Sequence, residues 1–414
     1  MECVKPVNDV SWPLAAQFAG YFMPILFLVV FFVMAGFAML LPSIMYVLEN
    51  LGASQAEATP ILASYSLSQF IIGPVWGRLS DWFGRRPILI ITLVGASACY
   101  LFLATMADTP AMVLLGLTLI GIFSGNTSVV MAAVSDLTAP ENRAKGLGLM
   151  GAGIGLAFTL GPAVGGIFGG GDAQTATISV PAAIAAGLLL VGALVVAVRF
   201  RESHTDTVEG EDRISRLEAF GRIRTRPILL QICLMMLCFT VPLSMMESVL
   251  SYFMETRYQW GPPDMSKLFF MIGLILMLVQ GGLIGRLTLR FGEISLARVG
   301  VFFMGVGLFL IMLVPTASLV YLGIAATSLG TALFNTSMAA LASHRAKPTE
   351  RGAVMGVFQS MQSLGRSTGP LTAGLLNQQL NGLPLLAGGL IMVLVLWWVV
   401  SLHRQIDRTG VVRA

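Results

Sequence analysis

Two ionisable side chains, Glu247 and Arg366, lie inside stretches of sequence that are otherwise apolar. A charge at the centre of a bilayer costs about 2.5–3.5 kcal/mol on insertion scales, so such a residue faces a partner or a polar cavity. A carboxyl group in apolar surroundings can exchange protons near neutral pH, whereas a guanidinium stays charged. The two residues are therefore candidates for binding a proton and a charged or polar ligand within a membrane.

Three roles for Glu247 remain open from the sequence. It is a proton site or a site for a cationic substrate, or it forms a static ion pair with Arg366, or it lies at a cavity edge without a role. Arg366 could instead attract an anionic substrate. Gln359, Gln362 and Arg366 recur at i, i+3 and i+7, which places them on one face of a helix.

Further residues inside apolar stretches are candidates for lining a cavity. Polar side chains in membranes often only form hydrogen bonds between helices, and methionine often only packs, so both interpretations stay open. These candidates are Tyr65, Gln69, Asn126, Met246, Gln280 and Asn335.

The elements that position these residues are predicted to be membrane-spanning helices. Hydrophobic residues make up 56% of the 414 residues and charged residues 11%, against about a quarter charged in soluble domains. A spanning helix needs about 20 apolar residues, and the apolar runs are longer than the strands of a membrane barrel. The pattern predicts an all-α membrane protein with twelve spans: 18–48, 55–79, 86–106, 109–135, 145–170, 178–200, 227–254, 265–286, 294–314, 316–342, 352–377 and 383–402.

Basic residues segregate to one side of the predicted membrane. Arg257 and Lys267 fall on one side, Arg366 falls inside a span, and the other lysines and arginines fall on the opposite side. Because basic loops stay in the cytoplasm, both termini are predicted to be cytoplasmic. The short loops favour a bacterial inner membrane.

Two halves of six spans each flank a polar linker. The predicted division is 1–200, the linker 201–226 and 227–414. Residues 77–84 (Gly-Arg-Leu-Ser-Asp-Trp-Phe-Gly) correspond to residues 285–292 (Gly-Arg-Leu-Thr-Leu-Arg-Phe-Gly) at an offset of 208 residues, and Gly161-Pro162 corresponds to Gly369-Pro370 at the same offset. Parallel repeats of this kind place a substrate site between the halves and permit alternating access.

Residues 77–86 resemble the loop signature of the major facilitator superfamily, G-x-L-a-D-[RK]-x-G-[RK]-[RK], and depart from it at Trp82. A second motif resembles that of the fifth helix in twelve-helix drug:proton antiporters, with Ala157 at its first glycine; its residues are Gly161, Pro162, Gly165 and Gly166. The embedded Glu and Arg are similar to those of exporters related to tetracycline efflux proteins and organic-anion exporters. The resemblance implies a major facilitator fold and proton-coupled export of amphipathic or drug-like molecules. The alternatives are export or flipping of a lipid or organic anion and, more remotely, a receptor that does not transport.

The same resemblance implies a gate at the signature loop. Its residues are Gly77, Asp81, Gly84, Arg85, Arg86 and Asp136. Asp81 is expected to face the N-terminus of span 11, near Gly352 and Gly356, where unpaired N–H groups carry positive charge. Arg85 is expected to pair with Asp136, so that the halves are latched on the cytoplasmic side. Leu289 and Glu293 replace Asp81 and Arg85 in the second copy, so the latch is expected to be one-sided. Otherwise these arginines only fix the topology.

The sequence departs from the antiporter pattern at two positions. Val33 stands where span 1 usually has an acid, and Leu117 stands where span 4 usually has an arginine. Any proton coupling is therefore expected to depend on Glu247 or on the substrate.

The sequence offers no constellation for enzymatic chemistry. His204, His344 and His403 lie in cytoplasmic or terminal segments, and the four cysteines lack metal-ligand spacing. We expect no enzyme activity, metal, cofactor or nucleic-acid partner. The expected partners are a small-molecule substrate, protons and the lipid bilayer, with the chain acting as a monomer.

Overall fold

The computed structural model describes residues 12–138, 143–202, 221, 223–313, 316–346 and 351–408. Every regular element in these residues is helical. The first half contains α1 (Trp12–Leu40), α2 (Ile44–Asn50), α3 (Gln55–Phe83), α4 (Arg85–Met106), α5 (Pro110–Ser124), α6 (Thr127–Leu137), α7 (Arg143–Phe168) and α8 (Ser179–Arg199). The second half contains α9 (Pro227–Tyr258), α10 (Pro262–Leu278), a π turn (Val279–Leu283), α11 (Ile284–Phe291), α12 (Glu293–Leu313), α13 (Ala317–Arg345), α14 (Arg351–Gln379) and α15 (Leu383–Arg408). Most of the predicted linker, 203–220 and 222, lies outside the described residues.

Each predicted span corresponds to one helix or to consecutive helices, which confirms the all-helical fold class. Span 1 divides between α1 and α2, span 4 between α5 and α6, and span 8 at the π turn. Among the described residues, ten helical segments are long and apolar enough to cross a membrane. The two long helices outside this set, α3 and α14, pack against each other. Their mutual contact gives their polar side chains surroundings other than lipid.

The internal repeat extends to the backbone conformation. Gly84, between α3 and α4, has φ 93° and ψ 157°, and Gly292, between α11 and α12, has φ 76° and ψ 158°. This region of φ/ψ space is essentially restricted to glycine. The π turn, at the level of Gly282, corresponds to the position of Pro74 inside α3. The two halves therefore share two backbone irregularities at the same offset.

The halves meet along α7 with α10 and along α3 with α14. Glycines allow the close approach: a Cβ at Gly166 would lie 1.9 Å from the Cβ of Ser266, and one at Gly374 would lie 2.0 Å from Oγ1 of Thr59. The Tyr46 hydroxyl also donates across the halves, to the carbonyl of Trp260 at 2.9 Å. These contacts lie at the end of the helices away from residues 77–86. We call the end that contains these contacts the opposite end, and the end that contains residues 77–86 the signature-loop end.

Replacing Gly84 with alanine is expected to destabilise the protein more than replacing Gly292. Both positions have a positive φ, which costs other residues about 1–3 kcal/mol. At Gly84 the new Cβ would also lie 2.4 Å from Oε2 of Glu202, whereas at Gly292 it would meet nothing within 4 Å. Glu202 accepts hydrogen bonds from the first N–H groups of α4, and losing such a cap costs about 0.5–2 kcal/mol.

Thermal unfolding of the purified variants measures this difference. The control is Gly84→Ala combined with Glu202→Ala, which should lose little more than Gly84→Ala alone because both changes remove the same hydrogen bonds. Equal unfolding temperatures for the two glycine variants would contradict the expectation.

Candidate functional site

The embedded glutamate and arginine face each other. Nη1 of Arg366, in α14, lies 3.5 Å from Oε2 of Glu247, in α9, and their side chains are 30% and 25% exposed. The Ser244 hydroxyl donates to the Arg366 carbonyl at 3.0 Å. The opposite charges therefore offset the cost of placing each one between apolar helices, while part of each side chain stays accessible.

Glycines on either side of Arg366 bring its helix against α9. A Cβ at Gly365 would lie 2.7 Å from the Cβ of Thr240, and one at Gly369 would lie 2.7 Å from the Cβ of Ser244. These contacts leave no space for a side chain one residue before or three residues after Arg366. Gly365 and Gly369 therefore set the distance between α9 and α14, and with it the distance between Glu247 and Arg366.

The first half contributes aromatic rings to this site. The guanidinium of Arg366 lies 5.9 Å from the ring centroid of Phe158, in α7, within the range of a cation–π interaction. Tyr65, in α3, stacks on Phe37 of α1 with ring centroids 4.1 Å apart. The guanidinium is therefore at the boundary between the halves, held by an acid of its own half and a ring of the other.

The polar candidates of the first half make interhelical hydrogen bonds. The side-chain amide of Gln69 donates to the Ser124 carbonyl at 3.1 Å, and that of Asn126 donates to Oγ1 of Thr92 at 3.2 Å. Asn126 is 1% exposed. These contacts favour packing inside the first half over cavity lining for both residues.

The candidates of the second half differ in exposure. Met246 is buried in the main core, and Gln280, Asn335 and Gln362 are half-buried, whereas Gln359 is exposed. Oδ1 of Asn335 is buried with no hydrogen-bond partner in the described structure. Gln362 and Arg366 lie one turn apart on α14, so the predicted polar stripe includes the embedded arginine. A lining role for these residues stays a prediction.

Arg85 joins several elements at the signature-loop end. Its side chain is 2% exposed, with Nη1 2.6 Å from Oδ1 of Asp81 and Nε donating to Oδ2 of Asp136 at 3.0 Å. Sequence reasoning missed Glu202, whose carboxylate accepts hydrogen bonds from the backbone N–H of Arg85 at 2.7 Å and of Arg86 at 3.1 Å. Arg85 is therefore the first residue of α4 and links this helix to α3 and α6 through its ion pairs.

The predicted contact between Asp81 and the start of α14 stays a prediction. Residues 347–350 and the side chains of 351–353 lie outside the described residues. The roles of Gly77, Gly84, Arg86 and the acids around Arg85 in gating therefore remain proposals.

We expect Asp81→Asn to reduce transport several-fold while leaving the unfolding temperature nearly unchanged. The carboxylate is 37% exposed and Arg85 keeps its ion pair with Asp136, so little stability should be lost, whereas a latch acts on the conformational equilibrium. The matched control is Asp264→Asn, an acid of the same exposure that pairs with Lys267 near the opposite end. Full transport by Asp81→Asn would disprove the latch.

The glycines of the fifth-span motif are contact points of α7. A Cβ at Gly161 would lie 2.8 Å from the Cβ of Ala38, and one at Gly165 would lie 2.1 Å from the carbonyl oxygen of Met39, both on α1. Gly166 faces Ser266 of the other half, and Pro162 lies inside the helix. The motif therefore packs α7 simultaneously on α1 and on α10.

Comparison with known proteins places this architecture in a family. The sequence profile of the Major Facilitator Superfamily matches residues 26–370 and 282–411. The tetracycline resistance protein class B of Escherichia coli is 32% identical over 64% of this chain and 66% of its own length. The class C protein of Escherichia coli is 30% identical over 81% of this chain and 84% of its own length.

A solved structure shares the fold. The crystal structure of the human organic anion transporter MFSD10 superposes with a TM-score of 0.73, covering 92% of this chain and 99% of its own, at 22% identity. The matched profile, the curated relatives and the shared fold agree with the resemblance carried by residues 77–86, and the chain belongs to the Major Facilitator Superfamily.

Proposed function

We propose that this protein is a secondary active transporter that couples proton movement to the export of amphipathic or drug-like small molecules by alternating access. The observation that carries the proposal is the Glu247–Arg366 pair, which lies against Phe158 at the boundary between the halves. The names of the tetracycline resistance relatives support a drug-like substrate. We also propose an inner-membrane location, cytoplasmic termini and a monomeric transporter.

Protonation of Glu247 would change the charge of the site. With Glu247 ionised, the pair is neutral; with Glu247 protonated, the guanidinium of Arg366 loses its counter-charge. A ligand or proton shifts a conformational equilibrium only through different affinities for the two states, and a charge held between moving halves provides such a difference. Each pH unit supplies about 1.4 kcal/mol per proton, and each 100 mV about 2.3 kcal/mol per charge.

A second candidate function is export or flipping of an organic anion or an anionic lipid. The contact between Phe158 and Arg366 favours it, because a cation beside an aromatic ring suits a ligand with a negative group and an apolar body. The fold is also that of human MFSD10, an organic anion transporter, which supports the same candidate.

Proteoliposomes containing a pH-sensitive dye test both functions. A proton gradient is imposed, and cationic, neutral and anionic amphiphiles are added in turn. Proton flux triggered by cationic or neutral compounds supports the drug exporter, and flux triggered only by anions supports the second candidate. Labelled substrate that crosses without proton flux would contradict proton coupling.

A further inference from the structure

The start of α12 and the end of α13 are joined by an ion pair. Nδ1 of His344 lies 2.8 Å from Oε1 of Glu293. Glu293 is the first residue of α12, directly after Gly292, and His344 is the last residue but one of α13. The His344 side chain is 69% exposed and that of Glu293 is 14% exposed. The imidazole is thus accessible from the solution at the signature-loop end.

The positions of this pair repeat those of a pair in the first half. The offset of 208 residues relates Arg85 to Glu293 and Asp136 to His344. Arg85 and Asp136 tie the start of α4 to the end of α6, just as Glu293 and His344 tie the start of α12 to the end of α13. The acidic and the basic residue have exchanged positions. The second half therefore also has an ion pair here, which the sequence alone did not predict.

The exchange changes how the tie responds to pH. Arginine stays charged at all physiological pH values, whereas imidazole ordinarily gains or loses its charge between about pH 5 and 8. His344 attracts the Glu293 carboxylate strongly only when the imidazole is protonated. The tie in the second half therefore depends on protonation of the imidazole, whereas the tie in the first half does not.

The helix ends favour the charges of the second pair. Acids at a helix N-terminus and cations at a C-terminus are stabilised by the helix dipole. Glu293 and His344 satisfy this rule, whereas Arg85 at the start of α4 does not. In the first half, the Glu202 carboxylate accepts hydrogen bonds at that helix start and supplies the missing negative charge.

Among the described side chains, Glu293 is the acidic partner of His344. The other described charged or titratable groups at this end, on α12, α13 and the elements packed against them, are basic. They are Arg226, Arg286, Arg290, Arg298, Arg345, His403 and Arg404. The side chains of Arg351, on α14, and of Asp407 and Arg408, on α15, lie outside the described residues.

We propose that Glu293 and His344 form a pH-dependent ion pair that regulates transport from the signature-loop side. Only a short connection separates α13 from α14, the helix that contains Arg366 and packs against α3. Formation or loss of the ion pair therefore changes how firmly the end of α13 is held, and with it the position of α14 between the halves.

A double-mutant cycle at two pH values tests the pair. Unfolding temperatures are measured for the wild type, Glu293→Gln, His344→Gln and the double variant at about pH 5.5 and about pH 8, on either side of the range in which imidazole titrates. The effects of the two single changes should be non-additive in acid and additive in alkali. The unfolding measurement needs no substrate, so it remains decisive even where the proposed substrate class fails.

The reversed pair is the matched control. Glu293→Arg combined with His344→Asp copies Arg85 and Asp136, and should keep its coupling at both pH values. In proteoliposomes, the ratio of transport rates at acidic and alkaline pH on the signature-loop side should differ up to about fivefold between wild type and the reversed pair, the range that an exposed ion pair provides. Coupling of equal size at the two pH values, or identical pH profiles of transport, would overturn the proposal.

Discussion

Replacing Glu247 with glutamine is expected to reduce substrate-driven proton flux to the level of protein-free liposomes. Glutamine is nearly the same size as glutamate and resembles its protonated form, but it cannot release a proton. The side chain lies 3.5 Å from Arg366 and is 25% exposed, so the variant should retain its packing. The dye-loaded proteoliposome assay measures the flux directly.

Exchange of labelled substrate separates a lost proton site from a lost binding site. Glu247→Gln should still exchange substrate across the membrane without a proton gradient, because exchange requires the substrate site and the conformational change but no net proton transfer. Glu57→Gln, a change at an exposed acid near the opposite end, is the control and should behave like the wild type. Wild-type proton flux in Glu247→Gln would assign the glutamate a structural role.

The second large effect is expected for Gly273→Ala, in α10. The new Cβ would lie 2.4 Å from both Cα and N of Thr159, in α7. These are backbone atoms that cannot rotate away, and overpacking of this kind costs about 1–3 kcal/mol. The contact of α7 with α10 would therefore be disfavoured, and transport should fall about 5- to 150-fold because one state of the cycle is depleted.

Cysteine accessibility at the opposite end measures this shift. Ser251 is 1% exposed, and its carbonyl accepts a hydrogen bond from Tyr46. In a cysteine-free background, Ser251→Cys should react faster with an impermeant maleimide when Gly273→Ala is present. Gly155→Ala is the matched control in the same helix pair, because its Cβ would lie 4.0 Å from Cα of Met277. Equal labelling and transport in the two variants would refute the expectation.

The sequence pointed to Glu247 and Arg366 because charged residues are rare in apolar spans, but it left open whether the two side chains pair. The types of Glu247 and Arg366 distinguished them, and the glycines at one offset indicated the repeat. Phe158 could not be found in the same way. It is one of 24 phenylalanines, and only the structure shows that its ring lies beside Arg366. Glu202 and His344 are ordinary residues near helix ends, and their partners are distant in sequence.

The helices were predicted more fully than their interruptions. Each of the twelve predicted spans corresponds to a helix or to consecutive helices, but run length and hydropathy contain no signal for the break between α5 and α6 or for the π turn at Val279–Leu283. Both depend on how a segment packs. Trp76, for example, donates to the Ile122 carbonyl near the first break at 2.7 Å, a contact made between elements 46 residues apart.

The π turn and Pro74 have a mechanical consequence. Proline removes one helical hydrogen bond and π turns alter the bonding pattern, so each interruption is a point where the helix bends more easily than elsewhere. The two points lie at corresponding sequence positions in the two copies. When the two halves move against each other, these two points allow the corresponding helices of both halves to bend together. The flexibility comes from a proline in the first half and from adjacent glycines in the second.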